Sequence, residues 1–171
     1  MTDLRTQVMA SMYGYAKTLD CLNKGWKVLE VGIAGDPKPG GNYKQFGIGN
    51  DYQTLDVSAS FNPDIVADIC ETNLPGEEWD LIILSQTIEH IYDYRKAINE
   101  CYRLLKNGAY LVVDCPFYYP YHAEPQFEDY WRISPGAMVK ILSGARFEIL
   151  TSQLLADCLT TSLARKSYGT D

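Results

Sequence analysis

The 171-residue chain lacks paired cysteines: Cys21, Cys70, Cys101, Cys115 and Cys158 are scattered, with no Cys-x-x-Cys pair and no paired histidines nearby. That distribution argues against a zinc site, so no metal is expected, and it fits reduced thiols in a cytoplasmic protein. Long apolar runs are missing as well. The longest, residues 81–84 and 110–113, are far too short to span a bilayer, and no N-terminal apolar region marks a secretory signal. Positive charge is scarce: 15 Lys and Arg stand against 22 Asp and Glu, for a net charge of −7 with no basic cluster. Nucleic acid is therefore not an expected partner, because phosphate contacts need clustered Lys and Arg.

A phosphate-binding glycine loop is absent too. The fingerprint Gly-x-Gly-x-x-Gly must run straight into a helix whose N-terminus holds a pyrophosphate. After Gly32, the second and third glycine positions are Ala34 and Pro37, and Asp36-Pro37-Lys38-Pro39 cannot form a regular helix interior. The P-loop pattern fails as well. Gly35 and Gly40 are rightly spaced, but Gly41 and Asn42 stand where Lys and Ser or Thr are required. A nicotinamide-dependent oxidoreductase is disfavoured on these grounds.

What is present is a composition of 46% hydrophobic and 22% charged residues, ordinary for one globular domain over residues 1–171. The organising stretch is Lys27-Val28-Leu29-Glu30-Val31-Gly32-Ile33-Ala34-Gly35, an apolar run with one acid that breaks into a turn of small residues. It reads as a buried strand over 27–31 whose end leaves room for a ligand to touch backbone. Before it, Leu4, Val8, Met12, Tyr15, Leu19 and Leu22 recur at three- and four-residue steps and predict an amphipathic helix over 3–22. Residues 1–25 would thus cover the sheet or the mouth of a pocket. The Pro/Gly/Asn-rich 36–51 stretch reads as a long loop or a degenerate helical turn.

Strands follow at 52–57, 65–67, 79–84 and 109–115, with a helix at 92–106 stopped by Asn107-Gly108. An aromatic loop fills 116–133. Ser134-Pro135 then opens a helix through Ser143, and 146–155 with 158–165 form a closing antiparallel pair. The fold class is α/β, a doubly wound, mostly parallel sheet with an antiparallel C-terminal strand pair. Glu30, Asp56, Asp68 and Ser85-Gln86 fall at the carboxyl ends of successive strands, where open α/β sheets bind ligands. A carboxylate at Asp56 suits ribose hydroxyls. Asp68 suits an exocyclic amine, with the N–H of Ile69 for a ring nitrogen, and Glu30 suits a positively charged ligand.

In these segments the chain resembles the class I S-adenosylmethionine-dependent methyltransferases, specifically the methyltransferase type 11 group. The resemblance rests on Val28-Leu29-Glu30-Val31-Gly32, Thr54-Leu55-Asp56, Ala67-Asp68-Ile69, Trp79 to Leu84, Ile88-Glu89-His90-Ile91, Tyr102 to Gly108 and Asp129-Tyr130-Trp131-Arg132. It implies a Rossmann-like fold, S-adenosylmethionine as cofactor, and a small-molecule or glycan acceptor. By resemblance, Glu30, Gly32 and Ala34 line the methionine end of the cofactor and Asp56 the ribose. Asp68 and Ile69 hold the adenine, and Ser85 lies beside the sulfonium.

Methyl transfer from a sulfonium is an in-line displacement that positioning alone can drive by about 7–11 kcal/mol. A base matters only when the acceptor is a hydroxyl or a protonated amine. His90, following Glu89, and His122 with Asp129 are the acid/base candidates, and Arg132 either clamps an anion or pairs with a neighbouring acid. The alternative reading is a catalytically silent member of the fold that binds or activates a partner, suggested by the altered first loop.

Overall fold

The apolar run around Val28 forms β1 (Lys27–Val31), an interior strand of a sheet whose other strands are added on both sides. A computed structural model describes residues 11, 14, 15, 17–19, 25–33 and 50–168. In chain order β1 is followed by β2 (Asp51–Asp56), β3 (Ile65–Val66), β4 (Trp79–Ser85), α1 (Tyr94–Leu104), β5 (Leu105–Pro116), α2 (Pro135–Gly144), β6 (Phe147–Leu155) and β7 (Leu159–Lys166). The seven strands are ordered β3-β2-β1-β4-β5-β7-β6. β1 to β5 pair in parallel, and β7 lies antiparallel between β5 and β6. The expected doubly wound sheet with its antiparallel closing pair is the observed architecture.

Both sheet faces are covered, which is why the central strands carry unbroken apolar sequence. Alternation sends Leu29, Val31, Ile82 and Leu84 to one face, where they pack with Ala97, Ile98, Cys101 and Leu104 of α1 and with Met138 and Leu142 of α2. Val28, Leu81, Ile83, Val112 and Leu163 point the other way, onto Tyr15. Each such aliphatic side chain contributes about 1.5–3 kcal/mol on burial. The described positions of the expected 3–22 helix (11, 14, 15 and 17–19) are helical. The Thr161 hydroxyl donates to the Tyr15 hydroxyl at 3.0 Å, tying this segment to β7 on the sheet. The expected loop at 36–51 lies, but for its last residues, outside the described residues, as do Ala34 and Cys21.

Helix ends follow their capping residues. The Asp93 carboxylate accepts from the N–H of Lys96 at 3.2 Å and starts α1 two residues later than the apolar period suggested. α1 also ends early. Leu105 turns extended and pairs with Trp79, so Asn107-Gly108 sits inside β5 and does not stop the helix. The register jumps from Trp79↔Leu105 to Leu81↔Tyr110, and Gly108 takes φ +78° in that irregular stretch. α2 starts as expected, with the Ser134 hydroxyl accepting from the N–H of Ala137 and proline in the first turn.

Candidate active site

Because β1 lies between β2 and β4, successive connections leave it in opposite directions and open a crevice at its carboxyl end. Among the described residues this crevice has a volume of about 960 Å³. It brings together Gly32, Asp56, Asp68, Ile69, Ser85, His90 and His122 of the expected site residues. Glu30 and Asp129 are not on its lining, and Ala34 is outside the described residues.

At the end of β1 the chain must turn tightly. Gly32 has φ +78°, a conformation that favours glycine, and its N–H donates to Leu55 O at 2.8 Å. The next N–H, of Ile33, donates to Asp56 Oδ2 at 2.9 Å, while Asp56 Oδ1 accepts from Ser58 N–H at 2.8 Å. Asp56 thus closes both strand-end turns. Each of its oxygens keeps a second lone pair for a ligand. Asp68 is exposed and accepts from Cys70 N–H at 2.8 Å, beside the buried Ile69.

Glu30 is buried, 1% exposed, and accepts a hydrogen bond from the Tyr52 hydroxyl. Along β1 it alternates with Leu29 and Val31, which pack on one sheet face, and lies with Val28 toward the other.

The end of β4 is fixed by a group the sequence reading passed over. Ser85 and Asp114 are register partners across β4 and β5. The fully buried Asp114 carboxylate accepts from Ser85 Oγ at 3.0 Å, Gln86 Nε2 at 2.6 Å and Gln86 N–H at 3.2 Å. Burial pushes the Asp114 carboxyl up to about 7, against the pull of those three hydrogen bonds. Gln86 has φ +50°, so this network holds the turn after β4 in a strained conformation. The signal was available: Asp114 is the acid that follows the apolar run of β5, as Asp56 closes β2.

On the opposite wall stand the imidazoles. His90 Nδ1 lies 2.5 Å from Glu128 O, and burial lowers the His90 pKa. The His90 ring lies 4.4 Å from that of Phe127 and 5.0 Å from that of His122, which in turn sits 5.3 Å from Tyr119. His122 meets Asp129 as expected, with Nδ1 3.0 Å from Oδ2 and its backbone N–H donating to the same oxygen at 2.8 Å. Asp129 itself is a correction to the acid/base expectation. Its side chain is fully buried and gripped by both terminal nitrogens of Arg132, which holds its carboxyl down at about 2. An acid so locked does not exchange protons near neutrality. Arg132 also donates to the carbonyls of Tyr119 and Pro120, at 3.0 and 2.9 Å, and so braces the aromatic loop.

Glu89 was noted in the sequence only as the neighbour of His90. Its side chain is fully buried, and among the described residues neither carboxylate oxygen has a hydrogen-bond partner.

Comparison with known proteins follows the same lines. Residues 44–113 match the family model described as "Methyltransferase domain". No curated protein matches the sequence. Among solved structures, an S-adenosylmethionine-dependent methyltransferase from Aquifex aeolicus is similar at TM-score 0.70 and 17% identity, over 95% of this chain and 93% of that one. Phosphoethanolamine N-methyltransferase 2 of Haemonchus contortus, in complex with S-adenosyl-L-methionine, is similar at 0.72 and 14%, over 95% of this chain and 52% of that one. A Burkholderia thailandensis 1,6-didemethyltoxoflavin-N1-methyltransferase, with its substrate and S-adenosylhomocysteine bound, follows at 0.67 and 11%, over 96% and 80%. At these identities the likenesses show the fold, one that S-adenosylmethionine-dependent methyltransferases share, and the family match spans residues 44–113 of the 171.

Proposed function

We propose that the protein transfers a methyl group to a small-molecule or glycan acceptor seated between the strand-end crevice and the aromatic loop 116–133. In this reading Asp68 and the N–H of Ile69 hold the adenine, Asp56 accepts from the ribose hydroxyls, and Ser85 lies beside the sulfonium. Gly32, with Ala34, faces the methionine end. Glu30, whose carboxylate also accepts from the Tyr52 hydroxyl, lines that end with them.

The observation that carries this reading is that one crevice joins the cofactor-side residues to the imidazoles and aromatics of the loop. At about 960 Å³ it stands at the upper end of the range for a single ligand site, which suits a donor and a small acceptor together. Tyr119 and Tyr130 on its lining are partly exposed, at 43% and 45%, and offer ring faces to an acceptor that is a sugar or a cation.

Catalysis here is mainly positioning. Where the acceptor is a hydroxyl, His90 and His122 are the groups able to take its proton, and Asp129 is a positioning residue that orients His122 through Nδ1. The test is transfer of radiolabelled methyl from S-adenosylmethionine into fractionated small-molecule and glycan pools. Label in a small or glycan fraction supports the reading. Label only in protein or nucleic acid, or in nothing despite cofactor binding, overturns it, and the last outcome favours the silent subunit.

A further inference from the structure

We propose that Glu89, His90 and His122 form a binding site for one divalent transition-metal ion of the zinc class, on the loop side of the crevice. One ligand-capable atom from each of the three residues lies within 4.8 Å of the other two. Zinc bound to nitrogen and oxygen at about 2.0–2.2 Å needs its ligands roughly 3.4 Å apart, so the three side chains have to close by about an ångström.

The hydrogen bonds around the cluster leave its metal-binding atoms available. His90 Nδ1 faces Glu128 O at 2.5 Å, and His122 Nδ1 faces Pro120 O at 3.2 Å and Asp129 Oδ2 at 3.0 Å, with Arg132 Nη2 farther off at 3.4 Å. Each of those oxygens accepts only, so each imidazole carries its proton on Nδ1 and turns Nε2 outward as a lone pair. That is how metal-ligating histidines are held, with the second nitrogen on a carbonyl or carboxylate. The pair Asp129–Arg132 adds no net charge beside the site.

Glu89 provides the independent observation. Its carboxylate is fully buried, with Oε1 3.8 Å from His90 Nε2, and among the described residues neither oxygen has a hydrogen-bond partner. A bare carboxylate there is costly, and a coordinated cation removes that cost. Two imidazoles and one carboxylate suit zinc and its first-row neighbours, whereas calcium and magnesium prefer all-oxygen sets. Because His90 and His122 reach the crevice while Glu89 lies behind them, the open coordination position faces the acceptor volume. The site stands on this geometry alone. That the ion polarises an acceptor oxygen, in place of proton removal by the two imidazoles it occupies, rests on the methyl-transfer reading.

The experiment uses tag-free full-length protein stripped with chelator and titrated with Co(II), followed by its visible ligand-field spectrum, and with Zn(II) by calorimetry. The expected result is one equivalent per chain, with binding at least tenfold weaker in Glu89→Gln and in His122→Ala. Glu89→Gln keeps the side-chain shape and removes the buried charge, so its metal-free melting temperature is expected to equal or exceed that of the wild type. No metal-dependent spectrum, or equal Co(II) affinity in wild type and Glu89→Gln, overturns the proposal. S-adenosylhomocysteine binding, measured in parallel in chelator, is expected to be unchanged, so failure of the metal site is distinguishable from failure of the methyltransferase reading.

Discussion

Thr87 occupies the space that a side chain at position 32 would need. A Cβ built on Gly32 falls 2.3 Å from Thr87 Oγ1 and 2.5 Å from Cγ2, while that hydroxyl lies 2.9 Å from both Val31 O and Ser85 O. The turn after β1 and the turn after β4 are thereby keyed together at the wall of the crevice. Gly32→Ala is expected to lower stability by about 3 kcal/mol, from the positive φ and the overpacking combined. In denaturant unfolding, adding Thr87→Ala is expected to recover part of that loss, giving non-additivity of at least about 1 kcal/mol. Strict additivity would contradict the steric account.

Asp114 makes stability depend on pH in a direction unusual for an acid. Its carboxyl lies near 7 in the folded chain against 3.8 for an unburied aspartate. The folded state therefore holds the proton more tightly, and the contribution of this group is fully present below about pH 4. It is lost as pH rises towards 7 and stays lost above. Asp114→Asn cannot titrate, so its stability relative to wild type is expected to improve by a few kcal/mol between pH 4 and 8. Chemical denaturation of both proteins across that range checks it; a constant difference would remove Asp114 as the cause.

Arg132 holds the loop through a fork that lysine cannot reproduce. It grips both oxygens of Asp129 and reaches the carbonyls of Tyr119 and Pro120. Arg132→Lys is expected to speed amide exchange across 117–131 by tenfold or more and to leave S-adenosylhomocysteine affinity within twofold of wild type. The depressed carboxyl of Asp129, at about 2, contributes stability above about pH 4 that is lost as pH falls towards 2. Loop protection is thus expected to persist at pH 4. Equal exchange in wild type and variant would contradict the bracing role.

Much of this arrangement was legible in the chain itself, and the remainder shows why some was not. Strands such as β1 and β4 declare themselves because both faces are buried, so their apolar residues run without interruption, and acids that end them stand out. Asp56 stands out in that way, and the same rule applied to β5 points to Asp114; Asp68 follows only the short β3, whose Val66 is exposed. The direction of a side chain is harder to read. Glu30 interrupts its strand as a ligand-facing acid would, and only the structure shows that its carboxylate also holds the Tyr52 hydroxyl. Hardest are contacts made by an irregular loop: Glu89 and His122 are far apart in sequence, and no period relates them. They meet because the N–H of Tyr130 donates to Glu89 O at 2.8 Å and returns the loop to the turn after β4.

The central claim is that the strand-end crevice holds the adenosine end of S-adenosylmethionine through Asp56. Calorimetric titration of the full chain with S-adenosylhomocysteine tests it most directly. The account predicts saturable one-to-one binding, displaced by S-adenosylmethionine and weakened at least tenfold in Asp56→Ala, as expected for loss of a hydrogen bond to a charged group. It also predicts that an analogue lacking the ribose hydroxyls binds wild type and Asp56→Ala alike. No heat at millimolar ligand, or equal affinity for S-adenosylhomocysteine in wild type and Asp56→Ala, would contradict it.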